Sequence, residues 1–237
     1  MRACLILAVA ALAGCGTAPP PVPPATSAAS PVPSAPPAPP ATTAVPGRTA
    51  STPVSPGTRV STGWEITVYY TAVERFHTGE PTEVVGCPEL ECAHGNTRLG
   101  AFPADFVQAV KDEGTGRTTA GQYLNWSYDV GFWLDSAPRD TDGDRLTPFV
   151  SAAADPNVLP PGTRFGISAC GRQDDGSAPP AAICAALRAA AWEITDEFTP
   201  GLGGSHHIDA YIGPETGPGF TDSPWYLTLT GAQLTID

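Results

Sequence analysis

The sequence is poor in positive charge. It contains one lysine, Lys111, and 12 Lys and Arg residues in total against 24 Asp and Glu residues, so its formal net charge is −12. A chain with this charge repels phosphate backbones and anionic lipid headgroups, which argues against nucleic acid and against an anionic membrane surface as partners. A neutral polymer is a more suitable ligand.

The sequence also lacks, beyond its first residues, any apolar run of the ~18 residues that a transmembrane helix needs. The apolar run at residues 3–13 follows Arg2 and is too short to span a bilayer, which is typical of a secretory signal. Its end, Leu12-Ala13-Gly14-Cys15, resembles a bacterial lipobox. We therefore predict a signal peptide at 1–14 and a lipid on Cys15 that anchors the exported chain to the cell membrane. An ordinary signal peptide with an incidental cysteine is the alternative.

Residues 16–61 have almost no charge. They consist mainly of Pro, Ala, Ser, Thr and Val, and Arg48 and Arg59 are the charged residues among them. Such a segment cannot bury a core, and its prolines favour extended polyproline II conformations. We predict that 15–61 comprise the lipidated cysteine and a disordered linker, which would place a domain at 62–237 within reach of the cell wall.

No cysteine pair has the C-x-x-C spacing of common zinc sites, so a zinc site is disfavoured. Besides the two cysteines near the amino terminus, the chain has four. In an exported protein an even number favours disulfides. The simplest of the three possible pairings joins Cys87 to Cys92 and Cys170 to Cys184.

Short β-branched and aromatic segments separated by Gly, Pro and Asp turns predominate after residue 62. The helix candidates are 103–113, which begins at Pro103 and ends before Gly114, and the alanine-rich segment 179–192. Many short strands with few helices and no internal repeat predict a mainly β fold, either a barrel or a sandwich. The predicted strands are 64–73, 130–135, 148–154, 163–170, 190–196, 206–213 and 225–236.

Two carboxylates, Asp196 and Asp209, lie on strand-like segments that flank a loop rich in Gly and Pro. The alternation of a strand places His207, Asp209 and Tyr211 on one face and the apolar residues between them on the other. A carboxylate held among strands beside an aromatic ring is partly desolvated, which raises its pKa and favours the protonated acid. Asp209 is therefore a candidate general acid, and Asp196 a neighbour whose charge would retain the proton on it. A structural carboxylate bonded to backbone amides is the alternative.

Two segments resemble the signature blocks of the 3D domain, a family named for three aspartates. They are "AADPNVLPPGTRFGI" (153–167) and "WEITDEFTPGLGGSHHIDAYIG" (192–213), and the three aspartates would be Asp155, Asp196 and Asp209. The resemblance implies a six-stranded double-psi β-barrel with one or two short helices, related to the catalytic domain of MltA-type lytic transglycosylases and to expansins. Residues 74–145 would be a long insertion after the first barrel strand. The sequence departs from the family pattern in the loop "DEFTPGLGG" and in His207, which replaces an arginine.

The resemblance also implies an activity. Asp209 would protonate the oxygen between MurNAc and GlcNAc of peptidoglycan, and the sugar's own 6-hydroxyl would attack to form a 1,6-anhydro ring. Asp155, His207 and Tyr211 would support the site of Asp209 and Asp196, and no cofactor or metal is expected in what we take to be a monomer. The alternatives are an expansin-like module that binds or loosens wall glycan without cutting it, and a structural lipoprotein whose barrel has lost its groove.

Other residues bear on ligands. His207, Asp209 and Asp196 could ligate zinc, although the simpler reading is a histidine that lines a groove. The segment "DTDGDR" (140–145) partly resembles a calcium-binding loop. Its glycine is misplaced and its twelfth position lacks an acid, so a polar turn is favoured. Trp126 and Trp133, in the insertion, are candidates for stacking on sugar rings.

Overall fold

The structure, a computed structural model, describes residues 57–90, 92–199 and 201–237. The predicted signal peptide, Cys15 and nearly all of the predicted linker lie outside these residues. The described residues form α1 (Ala104–Glu113), α2 (Ala181–Ala189), and strands β1 (Arg59–Val73), β2 (Pro81–Gly86), β3 (Thr97–Pro103), β4 (Thr115–Arg117), β5 (Tyr123–Ser127), β6 (Gly131–Asp135), β7 (Ser151–Ala154), β8 (Arg164–Ala169), β9 (Arg172–Gln173), β10 (Trp192–Glu197), β11 (His207–Pro214) and β12 (Leu229–Ile236).

Six of these strands close into a barrel, in the order β1-β11-β7-β10-β8-β12 and back to β1. The β1/β11 and β7/β10 pairs are parallel, and the other four pairs of the barrel are antiparallel. Closure leaves the barrel wall without free edges. The prediction of a mainly β fold built on a six-stranded barrel with two short helices is confirmed.

Alternation along the strands builds the barrel core. On β11, Ile208 and Ala210 are fully buried in a core shared with Ile66 of β1 and Ile194 of β10, whereas Asp209 points to the other side of the wall. The predicted two faces of this strand are therefore confirmed. Burial of each of the larger apolar side chains contributes about 1.5–3 kcal/mol to stability. A shift of register by one residue would turn Asp209 into the core and expose the apolar face, and this contribution would be lost.

The insertion after β1 forms a second layer. The β2–β3 hairpin and α1 pack with β4, β5 and β6, around a core that includes Phe102, Phe106 and Leu124. The last residues of β1, Ala72 and Val73, pair with β4, so the insertion continues the same strand that forms the barrel. Barrel and insertion belong to one compact unit.

The predicted boundaries hold best where turn chemistry sets them. Helix α1 begins after Pro103 and ends at Gly114, which has the left-handed φ of 80° that favours glycine. Strand β1 begins at Arg59, five residues earlier than predicted, because residues 59–64 pair with β12. Strand β12 begins at Leu229, later than predicted, because Ser223 to Tyr226 close a turn.

Both predicted disulfides, Cys87–Cys92 and Cys170–Cys184, are present. The first fixes the end of the β2–β3 hairpin, and the second ties β8 to α2. Neither described helix is long and apolar enough to cross a membrane.

Candidate active site

Three side chains form a row across the outside of the barrel wall. Asp209 of β11 pairs with Ala153 of β7, and Ala153 pairs in turn with Asp196 of β10. The β7/β10 register shifts between Ile194 and Asp196, and this bulge sets Asp196 opposite Ala153. The two carboxylates predicted from the sequence are therefore two strands apart, on one face, with about 10 Å between their backbones.

Both carboxylates line one cleft between the barrel wall and the insertion. Its volume is about 360 Å³, and Ala153 forms its floor between Asp196 and Asp209. A methyl group at this position leaves space that a larger side chain would fill. The arrangement places two acids at a common opening.

The Asp196 carboxylate is held by four donors. Its Oδ1 accepts hydrogen bonds from the Thr141 amide (3.1 Å), the Thr141 hydroxyl (3.0 Å) and the Glu197 amide (2.9 Å), and its Oδ2 accepts one from the Tyr69 hydroxyl (3.3 Å). Burial raises the pKa of Asp196, while these donors act in the opposite direction because they stabilise the charged form. The pKa of Asp196 is therefore raised, but four hydrogen bonds that stabilise its charged form limit the rise.

Asp209 has the opposite environment. Its Oδ1 is buried and has no hydrogen-bond partner among the described residues. Burial raises the pKa of Asp209 to about 7; the Thr67 hydroxyl acts against this shift, and the negative charge of Asp196 adds to it. An unpartnered buried oxygen is less costly on a neutral carboxyl group than on a carboxylate. The two neighbouring acids thus differ in how many hydrogen bonds stabilise the charged form, and such a difference in environment is typical of an acid and its companion.

Two further acids of the cleft were not predicted. Asp140 is buried, its Oδ2 has no partner among the described residues, and burial together with the charge of Asp196 raises its pKa to about 7. Glu113, also buried, accepts a hydrogen bond from the Tyr70 amide (3.2 Å), and burial raises its pKa well above the ordinary value. The position of Glu113 at the carboxyl end of α1, where the helix dipole disfavours an acid, was a usable signal. The sequence around Asp140 contained no signal that this residue would be buried.

The residues predicted to support the site lie at different places. His207 lines the cleft, its Nε2 is 2.8 Å from the Thr67 hydroxyl, and its ring stacks on Phe198 at 4.5 Å between centroids. Tyr211 is buried behind the cleft, with its hydroxyl 2.6 Å from that of Thr71. Burial raises the pKa of Tyr211 to about 12.

Asp155 lies outside the residues that line the cleft. Its Oδ1 accepts hydrogen bonds from the Asn157 amide (2.8 Å) and the Asn157 side chain (3.1 Å) in the turn after β7. Gly203 of the glycine-rich loop packs closely against it, since a Cβ at Gly203 would lie 3.0 Å from the Asp155 Cβ. Asp155 thus sits beneath the loop that joins β10 to β11.

The two tryptophans predicted to contact sugar are in different environments. Trp126 is half-buried and lines the cleft. Trp133 is fully buried and does not line the cleft. Of the two tryptophans only Trp126 is at the site, which differs from our expectation for Trp133. Two exposed side chains that were not predicted, Tyr128 and Leu202, lie along the cleft instead. Aromatic and aliphatic surfaces beside polar groups are suited to sugar rings.

The described residues include no group of three His, Cys, Asp or Glu side chains placed to share a metal ion. His207, the proposed nitrogen ligand of such a group, is engaged with Thr67. The segment 140–145 forms a turn closed by a hydrogen bond from the Asp144 amide to the Asp140 Oδ1 (2.6 Å).

No family model matches the chain, and no curated protein matches it. Several solved lytic transglycosylases resemble it in fold. Escherichia coli MltA with bound chitohexaose is 13% identical over 73% of this chain and 71% of that chain, with a TM-score of 0.47. The membrane-bound lytic murein transglycosylase of Agrobacterium tumefaciens is 11% identical over 73% of each chain (TM-score 0.44). LtgG of Burkholderia pseudomallei is 14% identical over 73% and 72% (TM-score 0.41). At these identities the likeness concerns the fold alone.

Proposed function

We propose that this protein is a lytic transglycosylase that cleaves peptidoglycan glycan strands between MurNAc and GlcNAc, with Asp209 as both acid and base. The observation that carries the proposal is the contrast between the two acids of the cleft. Asp209 has a buried oxygen without a partner and a pKa of about 7, whereas Asp196 is held by four hydrogen-bond donors. In this proposal Asp209 gives the proton, and the hydrogen bonds to Asp196 favour its charged form.

In the proposed reaction, protonated Asp209 gives its proton to the glycosidic oxygen as the bond from MurNAc C1 to that oxygen breaks. GlcNAc leaves with a hydroxyl at C4. The 6-hydroxyl oxygen of the same MurNAc then bonds to C1, and its proton passes to the Asp209 carboxylate. The products are a 1,6-anhydro-MurNAc end and a new GlcNAc end, no water is consumed, and Asp209 finishes protonated, as it began.

Asp196 acts on this reaction through its charge. As positive charge develops at C1 in the transition state, a fixed carboxylate on the same wall stabilises it. The same charge raises the pKa of Asp209, which keeps the acid protonated near neutral pH. Asp155, His207 and Tyr211 would hold the surrounding strands and loop rather than contact the reacting atoms.

The substrate class is supported by the surroundings of the acids. Trp126 and Tyr128 offer aromatic surface along the cleft, as a glycan ligand requires. The sequence resemblance to the 3D family points to the glycan of the cell wall. A lipid on Cys15 and the proline-rich segment after it would tether a monomeric domain to the outer side of the cell membrane, within reach of that polymer.

The proposal is tested by incubating the full chain, purified in detergent, with isolated peptidoglycan. We expect soluble muropeptides with 1,6-anhydro ends, identified by mass spectrometry. Asp209→Asn should lower their rate of release by about 10²–10⁴-fold. Asp174→Asn, a matched change at an exposed turn outside the cleft, should leave the rate unchanged.

Three results would contradict the proposal. Equal activity of Asp209→Asn would remove the assigned acid. Products with ordinary reducing ends would show that water attacks C1. Retention on wall material without any soluble fragment would instead support the expansin-like binding module.

A further inference from the structure

Lys111, the only lysine of the chain, lies where two clefts meet. It is in the last turn of α1 and lines both the cleft of Asp196 and Asp209 and a second cleft of about 400 Å³. Trp126 is the other side chain that lines both. The second cleft lies between the β2–β3 hairpin and β6, so it branches from the first one towards the insertion.

Acidic side chains predominate around Lys111 on the side of the first cleft. Eight acidic side chains line the first cleft: Asp112, Glu113, Asp129, Asp140, Asp142, Asp196, Glu197 and Asp209. Arg139, also in this lining, is engaged by Asp135 (2.9 Å) and by the Gly143 carbonyl (3.2 Å). Lys111 forms no ion pair with any described residue, so its ammonium group is available to a ligand.

The surroundings of Lys111 on the side of the second cleft are aromatic. Its Nζ lies 5.7 Å from the centroid of the Phe132 ring, and Phe132 and Trp126 line this cleft. An ammonium group beside aromatic rings is suited to a ligand in which an anionic group is attached to a short apolar segment. The branch therefore fits a short acidic side arm that projects from a strand lying in the first cleft.

We propose that Lys111 binds a carboxylate carried by the side arm of MurNAc and thereby sets the register of the glycan strand. This inference rests on the proposed function, because it takes the strand in the first cleft to be peptidoglycan. The side arm is an O-lactyl group that every second sugar carries. A strand shifted by one sugar would place that carboxylate among the acids of the cleft instead of at Lys111, and like-charge repulsion would disfavour it.

The carboxylate has two possible sources. In strands stripped of peptide it is the free lactyl carboxylate, and in intact strands it belongs to the attached peptide. Both present the same chemistry to Lys111. Three ligands separate these sources from the glycan itself: a neutral chito-oligosaccharide, peptide-free strands and peptide-bearing strands.

Binding of these ligands is measured in the full chain carrying Asp209→Asn, so that nothing is cleaved. Adding Lys111→Ala should weaken binding of a carboxylate-bearing strand about tenfold and leave binding of the neutral oligosaccharide unchanged. Lys111→Arg should retain most of the affinity, and Arg117→Ala, which removes an exposed charge outside both clefts, should have no effect. Added salt should reduce the difference. A loss confined to one strand type identifies the source of the carboxylate.

The inference would be overturned if Lys111→Ala changed the affinity for all three ligands equally or for none of them. It would also be overturned if Arg117→Ala caused the same loss of affinity. The register is tested with Lys111→Ala in the otherwise unaltered chain, where the fraction of 1,6-anhydro-GlcNAc ends should rise; an unchanged fraction would refute register setting. If the unaltered chain releases no anhydro product, the proposed function fails, while the binding result still decides whether Lys111 recognises a carboxylate.

Discussion

Asp196 and Asp209 are separated on the barrel wall by the side chain of Ala153, which pairs with Asp209 on one strand and with Asp196 on the other. Because this side chain is a methyl group, the two acids face a common space instead of a filled surface. The size of residue 153 should therefore decide whether a sugar can reach both acids.

Ala153→Leu should block the cleft. The larger side chain would occupy the floor between the acids and displace the sugar, so we expect the rate of anhydro-muropeptide release to fall about a hundredfold. Because the side chain faces the cleft, the free energy of unfolding should fall by no more than about 1–3 kcal/mol. Ala153→Ser, which adds little volume, should retain most of the activity. Equal activity of the Leu and Ser variants would contradict the role of the floor.

The rate should depend on pH through Asp209. Its pKa is raised to about 7, so the acid is protonated below this value and loses its proton above it. Since the reaction requires the protonated form, we expect the initial rate to fall as pH rises, with a midpoint near 7. The measurement is the rate of product release between pH 5 and pH 9. A rate that stays constant up to pH 9 would exclude Asp209 as the acid.

Asp209→Asn should stabilise the fold at neutral and alkaline pH. Between an unfolded pKa of about 3.9 and a folded pKa of about 7, the folded state binds a proton that the unfolded state has lost. The free energy of unfolding of the parent therefore decreases as pH rises through this window. Because three pKa units correspond to roughly 4 kcal/mol, we expect the variant in urea titrations to be more stable by up to about 4 kcal/mol at pH 8 and nearly equal at pH 4. A difference of the same size at both pH values would argue against a buried proton on Asp209.

Thr141→Val should affect Asp209 indirectly. It removes the hydroxyl that donates to the Asp196 Oδ1 at 3.0 Å, while the Thr141 amide remains. The loss should cost about 1–2 kcal/mol of stability and raise the pKa of Asp196. A less negative Asp196 raises the pKa of Asp209 less. The alkaline limb of the pH–rate profile should therefore move to lower pH. Thr141→Ser, which keeps the hydroxyl, should behave as the parent does.

His77 and Glu215, which do not line the cleft, should also make stability depend on pH. The His77 Nε2 lies 2.7 Å from the buried Glu215 Oε1, and this hydrogen bond raises the pKa of His77 above 6.5. The contribution of the pair is fully present below the unfolded pKa of His77 and is lost as pH rises through the folded pKa. His77→Gln should therefore destabilise the fold by about 1–2 kcal/mol more at pH 6 than at pH 9. The same loss at both values would show that the pair acts without charge.

Local chemistry explains which parts of the fold were predictable. Helix α1 was bounded by Pro103 and by Gly114, both of which act through the backbone of their own neighbours. Alternation on β11 placed Asp209 opposite to Ile208 and Ala210, because each side chain has only two directions in which to point. The predicted disulfides joined the cysteines nearest to each other in the chain.

Contacts between distant segments explain the rest. Residues 59–63 form a strand because β12 pairs with them, and no apolar pattern marks these residues. Asp140 and Glu113 are buried because the insertion packs on the barrel wall. Each of them is more than 50 residues away from Asp209 in the sequence. The same packing separates the two tryptophans, since it leaves Trp126 at the cleft and covers Trp133.

Strand β1 joins the two walls of the cleft. It pairs with β12 and β11 in the barrel and with β4 in the insertion, and its 15 residues form one strand whose register shifts near Trp64 and between Tyr69 and Thr71. Because hydrogen-bonded ladders hold this one strand in both walls, a change in the distance between the walls is restricted. We expect a rigid slot of constant width, which a glycan enters from the side or from one end without any closing motion.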